Sequence, residues 1–218
     1  MDSTDTGLPG SAETGAAQAQ TRRKRADAQR NLGALLEAAK TIFATSGVDA
    51  PAKAITDLAG VGVGTLYRHF PRRSDLVAAV LQREVDACAD AGAALSTEFE
   101  PGTALVKWIQ RLTEFVGTKR GLAAALHSGD PAFDALPGYF RRRVEPVVTA
   151  LLAAAIATGE IRSDVTAHDL MNAVVLLCQP VHGEEFSFNQ RMVAMFIDGL
   201  RPSETPRPAP SRRSPGNR

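Results

Sequence analysis

Several residue types that mark other classes of protein are scarce in this 218-residue chain. It has 2 Cys, 1 Trp and 2 Tyr, and the cysteines, Cys88 and Cys178, have no CxxC spacing. We therefore expect neither a disulfide framework nor a zinc site, and interpret both cysteines as small buried residues in a reducing compartment. The 4 His residues show no metal-ligand spacing either, so no metal and no cofactor are expected.

Long apolar runs are also missing. No stretch of about eighteen apolar residues is free of charge, so we expect no membrane-spanning helix and no membrane partner. The first twenty residues lack a basic segment followed by an apolar one, and so do not resemble a secretory signal. These patterns predict a cytoplasmic protein.

Strand-forming residues are sparse, whereas Ala and Leu dominate the 44% of residues that are hydrophobic. This composition favours helices over strands, and the predicted fold class is all-α. Apolar residues from Leu32 to Phe43 recur three and four positions apart, which predicts an amphipathic helix over about 21–46 that ends at Gly47. Similar spacing predicts further helical segments over about 52–59, 63–70 and 74–98. It also predicts a helix that begins at 101, a short segment around 122–127, a helix that ends at 159, and two final helices over 166–180 and 188–200.

A net charge of +1 conceals a strong polarity along the chain. Residues 21–73 hold ten Lys/Arg against four Asp/Glu, whereas residues 74–200 hold ten against sixteen. This order suggests a head that binds a polyanion and a body that does not. We expect a head domain over 21–73, a second helical domain over 74–201, and disordered tails over 1–20 and 202–218.

The stretch AGVGVGTLYRHF, residues 59–70, has three glycines at alternate positions. A dinucleotide-binding loop needs G-x-G-x-x-G between a buried strand and a helix. Here the sixth position is Thr65 or Tyr67, and the preceding PAKAITDLA is helical, so a nucleotide cofactor is not expected. Two short helices joined by a tight turn at Gly60 instead predict a helix-turn-helix.

In this motif we expect the first helix to bury Ile55, Leu58 and Ala59, and the second to bury Leu66 and Phe70. The other side chains of the second helix then face outward, where helix N–H groups and polar side chains bind phosphate and an arginine reads guanine. The expected DNA contacts here are Gly62, Val63, Gly64, Thr65, Tyr67, Arg68, His69 and Arg73. The preceding basic segment adds Arg22, Arg23, Lys24 and Arg25, which we expect to approach neighbouring DNA.

This region resembles the DNA-binding head of TetR-family (TetR/AcrR) transcriptional regulators. The family pattern has a Phe and then a Gly near the end of its first helix, followed by Ile-Ala-x-x-Ala-Gly-Val. Gly-Thr-Leu-Tyr-x-(His/Tyr)-Phe comes next, and then a basic residue and a Leu. The chain matches this pattern at Phe43 and Gly47, over 55–61 and 64–70, and at Arg73 and Leu76.

Three positions depart from the family pattern. Ala50 and Pro51 stand where the family often has a phosphate-binding Ser or Thr, Thr56 replaces an alanine, and Gly62 replaces a frequent Ser. None of these changes alters the expected fold. They prevent any transfer of base specificity from the family.

The resemblance implies a repressor that binds a palindromic double-stranded DNA operator as a homodimer and is released by a small-molecule effector. Such a protein would lie on the bacterial nucleoid when bound to DNA. The resemblance further implies that the body is a helical bundle whose last two helices form the dimer interface and whose middle helices enclose the effector. The interface candidates are Leu170, Ala173, Val174, Leu177, Met192, Met195, Phe196 and Gly199. The pocket candidates are Trp108, Phe115, Leu122, Leu126, His127, Phe133, Tyr139, Phe140 and Cys178.

One alternative function stays open, and an enzymatic function is not expected. The open one is a DNA-binding helical protein without a small-molecule effector that acts nonspecifically or through protein partners. An enzyme is not expected, because Ser128 lies outside any G-x-S-x-G motif and the HGEE at 182–185 lacks the second histidine of HExxH.

Overall fold

The computed structural model describes residues 11–118 and 128–202. These residues form helices joined by turns, with no strand among them, so the all-α prediction is confirmed. The α-helices in this part of the chain are α1 (Ser11–Ser46), α2 (Ala52–Ala59), α3 (Val63–His69), α4 (Arg73–Glu98), α5 (Pro101–Thr118), α6 (Leu136–Ala157), α7 (Ala167–Leu177) and α8 (Phe186–Asp198). A 3-10 turn at Pro131–Phe133 precedes α6.

The chain divides into two compact units. Among the described residues, the first consists of 11–81 and 128–133, and the second of 82–118 and 134–202. The boundary lies inside α4 at residue 81, eight positions after the boundary predicted between residues 73 and 74. The first unit therefore contains the start of α4 together with a short later segment, which the charge pattern along the sequence does not indicate.

The α1 helix begins ten residues earlier than the disorder prediction allowed. Residues 11–20, expected to be unstructured, continue the helix that buries Leu35 and Phe43 at its other end. Polar and small residues of this stretch carry no apolar stripe, which is why the periodicity placed the start near residue 21. Residues 1–10, the predicted tail from 203 onward and the segment around 122–127 lie outside the described residues.

Glycines end three of the helical segments in the left-handed conformation. Gly47 follows α1 with φ +76°, Gly60 follows α2 with φ +67°, and Gly159 lies just beyond α6 with φ +74°. A side chain is strained at such φ values, and glycine is the residue that adopts them at little cost. The predicted ends at all three positions are confirmed.

The core of the second unit forms around α5. This helix packs against α6, α7 and α8, and Trp108 at its centre is fully buried. The indole Nε1 donates a hydrogen bond of 3.0 Å to the carbonyl oxygen of Cys88 in α4, so the buried polar atom is satisfied. Thr166 starts α7 with a capping box, in which its hydroxyl accepts from the Asp169 amide.

A polar network joins α4 to α6 at the edge of this core. The Tyr139 hydroxyl donates to the Asp86 carboxylate at 2.7 Å, and Arg143 donates to the same carboxylate at 2.6 Å and to Asp90 at 3.0 Å. The hydrogen bond to Asp86 raises the pKa of Tyr139. The network sets the register of α6 along α4, while apolar packing supplies the burial.

None of the helices in the described part of the chain is long and apolar enough to span a bilayer.

Gly92 in α4 leaves room for the side chain of Val147 in α6. We expect Gly92→Ala to destabilise the protein by a net of about 1–2 kcal/mol, because overpacking outweighs the gain in helix propensity. The added methyl would lie 2.2 Å from Cγ1 of Val147. Urea unfolding measures the change, and Ala93→Ser at the exposed next residue should stay within about 0.5 kcal/mol. An unchanged midpoint for Gly92→Ala would contradict this packing.

Candidate nucleic-acid interface

The turn at Gly60 directs α3 away from α2. Its φ of 67° and ψ of 30° lie in the left-handed region, and its amide donates to the carbonyl oxygen of Asp57 at 3.3 Å. The next amide, of Val61, donates to Thr56 at 3.1 Å. These bonds satisfy carbonyls at the end of α2, and the chain then enters α3 after two further residues. The predicted helix-turn-helix is therefore present.

The buried face of α2 differs from the prediction at one position. Ile55 is fully buried as expected, but Leu58 is 55% exposed, whereas Thr56 is 1% exposed. At about 100° per residue, Ile55, Thr56 and Ala59 share one arc of the helix and Leu58 lies outside it. The Thr56 hydroxyl donates to the Lys53 carbonyl at 3.1 Å, so its burial leaves no unsatisfied hydroxyl.

The inner side of α3 agrees with the prediction. Leu66 and Phe70 are buried, and the Phe70 amide closes the helix by donating to the Leu66 carbonyl at 2.8 Å. Gly62 is the N-cap with extended backbone and no side-chain cap, so N–H groups at the start of α3 are free of a capping side chain.

The outer side of α3 centres on Gly64. Tyr67 and Arg68 follow it by three and four residues and so lie beside it on the helix surface. Tyr67 is 53% exposed, and Arg68 is also exposed. A Cβ built on Gly64 would meet nothing within 4 Å, so packing inside the protein does not require a glycine there. The bare backbone between two exposed side chains suits close approach by an external partner.

The remaining predicted contacts of α3 flank this centre. Val63 and His69 are exposed, and Thr65 is half-buried. Among residues 11–118 and 128–202, no carboxylate lies within 4.0 Å of the Arg68 guanidinium. These side chains are accessible at one surface of the first unit, although their role in binding stays a prediction.

Arg73, predicted as a DNA contact, turns inward. Its Nε donates to the Val48 carbonyl at 2.6 Å, Nη2 donates to the Ala50 carbonyl, and the guanidinium lies 5.1 Å from the centre of the Phe43 ring. Burial lowers the pKa of Arg73, and nearby Asp49 opposes that shift. Arg73, the basic residue after α3, thus binds the α1–α2 loop of its own unit.

Arg72 is a charged residue of this unit that the sequence interpretation did not single out. It remains exposed, and its Nη2 donates to the Asp75 carboxylate at 2.7 Å. This hydrogen bond raises the pKa of Arg72 and lowers that of Asp75. Nη1 lies 3.7 Å from Asp130, whose segment belongs to the same unit. The signal that could have identified this pairing is the three-residue spacing of Arg72 and Asp75.

The four basic residues predicted ahead of the helix-turn-helix all lie on α1. Arg22, Arg23 and Arg25 are exposed, and Lys24 belongs to the same helical turn. Arg30 adds a further exposed charge one to two turns later, paired with Asp27. The basic segment is therefore a helical surface of the first unit.

The predicted pocket residues are distributed over both units. Trp108, Phe115 and Cys178 are buried in the core of the second unit, and Phe115 stacks on Phe140 with ring centroids 5.9 Å apart. Half-buried Tyr139 bonds Asp86 as described, and Phe133 belongs to the first unit. Leu122, Leu126 and His127 lie outside the described residues.

Two open cavities occur elsewhere in the second unit. One of about 410 Å³ is lined in part by Thr103, Glu160 and Ile197, and one of about 430 Å³ by Arg162 and residues of α7 and α8. Neither lining includes a predicted pocket residue. The effector pocket stays a prediction.

The predicted dimer residues separate into a buried and an accessible group. Leu170 and Val174 are fully buried in their own unit and have no surface for a partner. Met195 is 64% exposed, and Leu176, which the prediction omitted, is 70% exposed. The accessible or half-buried members are Ala173, Leu177, Met192, Met195, Phe196 and Gly199.

Comparisons with known proteins cover both units. A family profile for bacterial regulatory proteins of the tetR family matches residues 35–80, and a profile for the C-terminal domain of SbtR-like transcriptional regulators matches residues 100–202. The crystal structure of the TetR transcriptional regulator SCO0520 from Streptomyces coelicolor is 34% identical and aligns with a TM-score of 0.68. The alignment covers 79% of this chain and 99% of that one.

A TetR transcription regulatory protein from Mycobacterium vanbaalenii is 32% identical with a TM-score of 0.64, and the alignment covers 81% of this chain and 98% of that one. An HTH-type transcriptional regulator of Staphylococcus aureus strain MRSA252 is 40% identical over 68 residues. That match spans 30% of this chain and only 35% of the relative.

A glycine-turned helix-turn-helix with an accessible second helix, followed by a separate helical unit, defines a DNA-binding transcription regulator. Both profile matches and the two structures above 30% identity cover this same arrangement. The chain belongs to the TetR family of bacterial transcriptional regulators.

Gly64 offers a direct test of the α3 surface. We expect Gly64→Ala to stabilise the first unit by about 0.5–1 kcal/mol, because alanine favours the helix and its Cβ would point into open space. The same methyl should weaken DNA binding, because it would occupy the surface through which we expect the backbone to approach the duplex. Chemical unfolding and fluorescence anisotropy with labelled duplex measure the two effects.

Gly138→Ala in α6 is the matched control, since its Cβ meets only the mobile end of Arg142 at 3.3 Å. This variant should bind DNA as the wild type does. Undiminished DNA affinity in Gly64→Ala would remove Gly64 from the interface.

Proposed function

We propose that this regulator is a repressor that binds a palindromic operator as a homodimer and is released by a small-molecule effector. The observation that carries the proposal is the outer face of α3, where Gly64 leaves the backbone bare between exposed Tyr67 and Arg68. A helix with this surface fits the major groove, which is wide enough to admit it.

Different side chains of α3 contact bases and phosphates. Arg68 reads guanine through its planar fork of donors, and Val63 contacts a thymine methyl. Tyr67, Thr65 and His69 bind phosphates together with the free N–H groups that follow Gly62. Phosphate contacts set the register of the helix, and base contacts select the sequence.

The basic surface of α1 supplies a second, nonspecific attraction. Arg22, Arg23, Lys24 and Arg25 occupy one helical turn, and described side chains from 20 to 31 are exposed or half-buried. This turn requires no burial inside its own unit, so its charges remain available to phosphates beside the operator. Because binding by such charges releases counterions, their contribution decreases as salt rises.

Dimerisation follows from the small footprint of one helix-turn-helix. A single copy reads a few base pairs, and two copies about 34–36 Å apart read successive turns of one face of the duplex. The accessible apolar side chains of α7 and α8, above all Leu176 and Met195, support these helices as the contact between copies. The interface is then the outer face of α7 and α8, and the buried side chains of Leu170 and Val174 pack behind it.

Release by an effector is proposed as a shift between two conformations. A ligand that prefers a body conformation with the recognition helices too far apart for one DNA face lowers operator affinity by that preference. The match of residues 100–202 to a regulator C-terminal domain supports a sensing role. Operator binding that no compound from a broad metabolite panel alters would favour a regulator without a small-molecule effector.

Arg68 and Tyr67 separate base readout from phosphate binding. Selection of bound duplexes from a random pool would first define the operator. We expect Arg68→Ala to lose about 5-fold to 150-fold in operator affinity per half-site while changing binding to random duplex much less. Tyr67→Ala should weaken binding to operator and to random duplex by a similar factor, because phosphate groups are the same in every DNA sequence. Equal losses on both DNAs for Arg68→Ala would show that Arg68 is not a base reader.

Met195 tests the dimer. Met195→Glu places a charge on the proposed α7–α8 interface, and we expect it to shift the protein toward monomer and to reduce operator affinity. Analytical ultracentrifugation measures the assembly state. The control is Ala153→Glu, at an exposed position of α6, which should leave both properties unchanged. A dimer of undiminished stability in Met195→Glu would place the interface elsewhere.

A further inference from the structure

Arg73 connects the two chain segments that flank the helix-turn-helix. Its guanidinium follows α3, and the two carbonyls it bonds, those of Val48 and Ala50, precede α2. The hydrogen bonds span 25 and 23 residues, so they close the motif into a loop. Phe43, near the end of α1, lies under the guanidinium at 5.1 Å. We call this group, made of Phe43, Val48, Ala50 and Arg73, the Arg73 clasp.

The clasp stands at the start of α2, a helix that also packs against α1. Pro51 is the N-cap of α2 and provides no side-chain cap, and Gly47 at the start of the loop adds no side-chain contact. Ala50 is buried beside the guanidinium. The donors of Arg73 therefore hold the entry point of α2 in addition to the packing of α2 on α1, and α3 follows α2 through the tight turn at Gly60.

The chemistry of the clasp requires a guanidinium. A fork of fixed N–H donors reaches two carbonyl oxygens at once while its flat face lies against an aromatic ring. A lysine ammonium is a compact, strongly hydrated point charge on a flexible stem and reproduces neither the fork nor the stacking. A phosphate contact, by contrast, accepts either residue as a positive charge.

We propose that Arg73 is a positioning residue for DNA recognition, which holds the start of α2 against the start of α4 and thereby sets the angle at which α3 meets the duplex. The inference rests on the proposed function, since it assumes an operator that α3 reads. It assigns to Arg73 a role inside the protein in place of the phosphate contact that its position in the sequence predicts.

Binding to DNA at several salt concentrations tests this role with Arg73→Lys and Arg73→Gln. At a temperature well below unfolding, we expect both variants to lose at least about tenfold in operator affinity while keeping most of their affinity for random duplex. The slope of log affinity against log salt should stay at the wild-type value, because no phosphate contact is removed. Arg72→Gln, at the exposed neighbouring position, is the charge-matched control and should keep the ratio of the two affinities.

Two results would overturn the inference. In the first, Arg73→Lys keeps the full operator affinity, and the slope of log affinity against log salt for Arg73→Gln becomes less steep by about 2 per dimer. This result would identify a phosphate contact. The other is a lower thermal midpoint with an unchanged ratio of operator to random affinity, which identifies a role in stability alone. A wild-type protein that prefers no duplex over another would instead overturn the proposed function.

Discussion

The left-handed backbone at Gly60 is the constraint on which the exposed outer face of α3 depends. With φ at +67°, the chain turns within two residues and α3 leaves α2 with Leu66 directed inward. Any other residue at that φ would strain the turn, and a straighter connection would rotate Leu66 and Tyr67 together around the helix. Because α3 has only seven residues, a small rotation at its start moves every outward side chain. Accessibility of Gly64 and Arg68 is thus set at the turn before them.

The Arg73 clasp answers a second requirement of the same motif. A tight turn fixes α3 relative to α2, and α2 packs on α1, but the uncapped start of α2 needs a restraint of its own. In this protein the hydrogen bonds from Arg73 to the α1–α2 loop provide that restraint at the open end of the motif. Partial burial of a guanidinium is costly unless its donors are satisfied, and here backbone carbonyls satisfy them. Arg73 thus connects the start of α4 to the α1–α2 loop inside the first unit.

Charge and exposed apolar side chains are distributed differently in the two units. The first carries a basic helical segment and a recognition helix ending in Arg68 and His69, which suits a polyanion. Residues 74–200 carry more Asp and Glu than Lys and Arg. The second unit buries its apolar residues around Trp108, and its large exposed ones among the described residues are Leu176, Val181 and Met195.

Much of the fold was determined by local sequence. Apolar residues at spacings of three and four predict the helices, and glycines at 47, 60 and 159 predict where segments end, because both effects act within one or two turns of the chain. The inward side of α3 and its exposed face also followed from this spacing. Membership of the family was recognisable from the same residues, since the turn, buried and polar positions occur together.

Tertiary structure alone decided where several side chains point. Thr56 is buried and Leu58 exposed because α1 covers one arc of α2, and no property of the eight-residue helix states which arc that is. Arg73 turns inward because carbonyls more than twenty residues earlier lie within its reach. Leu170 and Val174 are enclosed by their own unit, although their spacing fits an interface equally well. A side chain's hydropathy and period are local, whereas the neighbour that covers it arrives from a distant part of the chain.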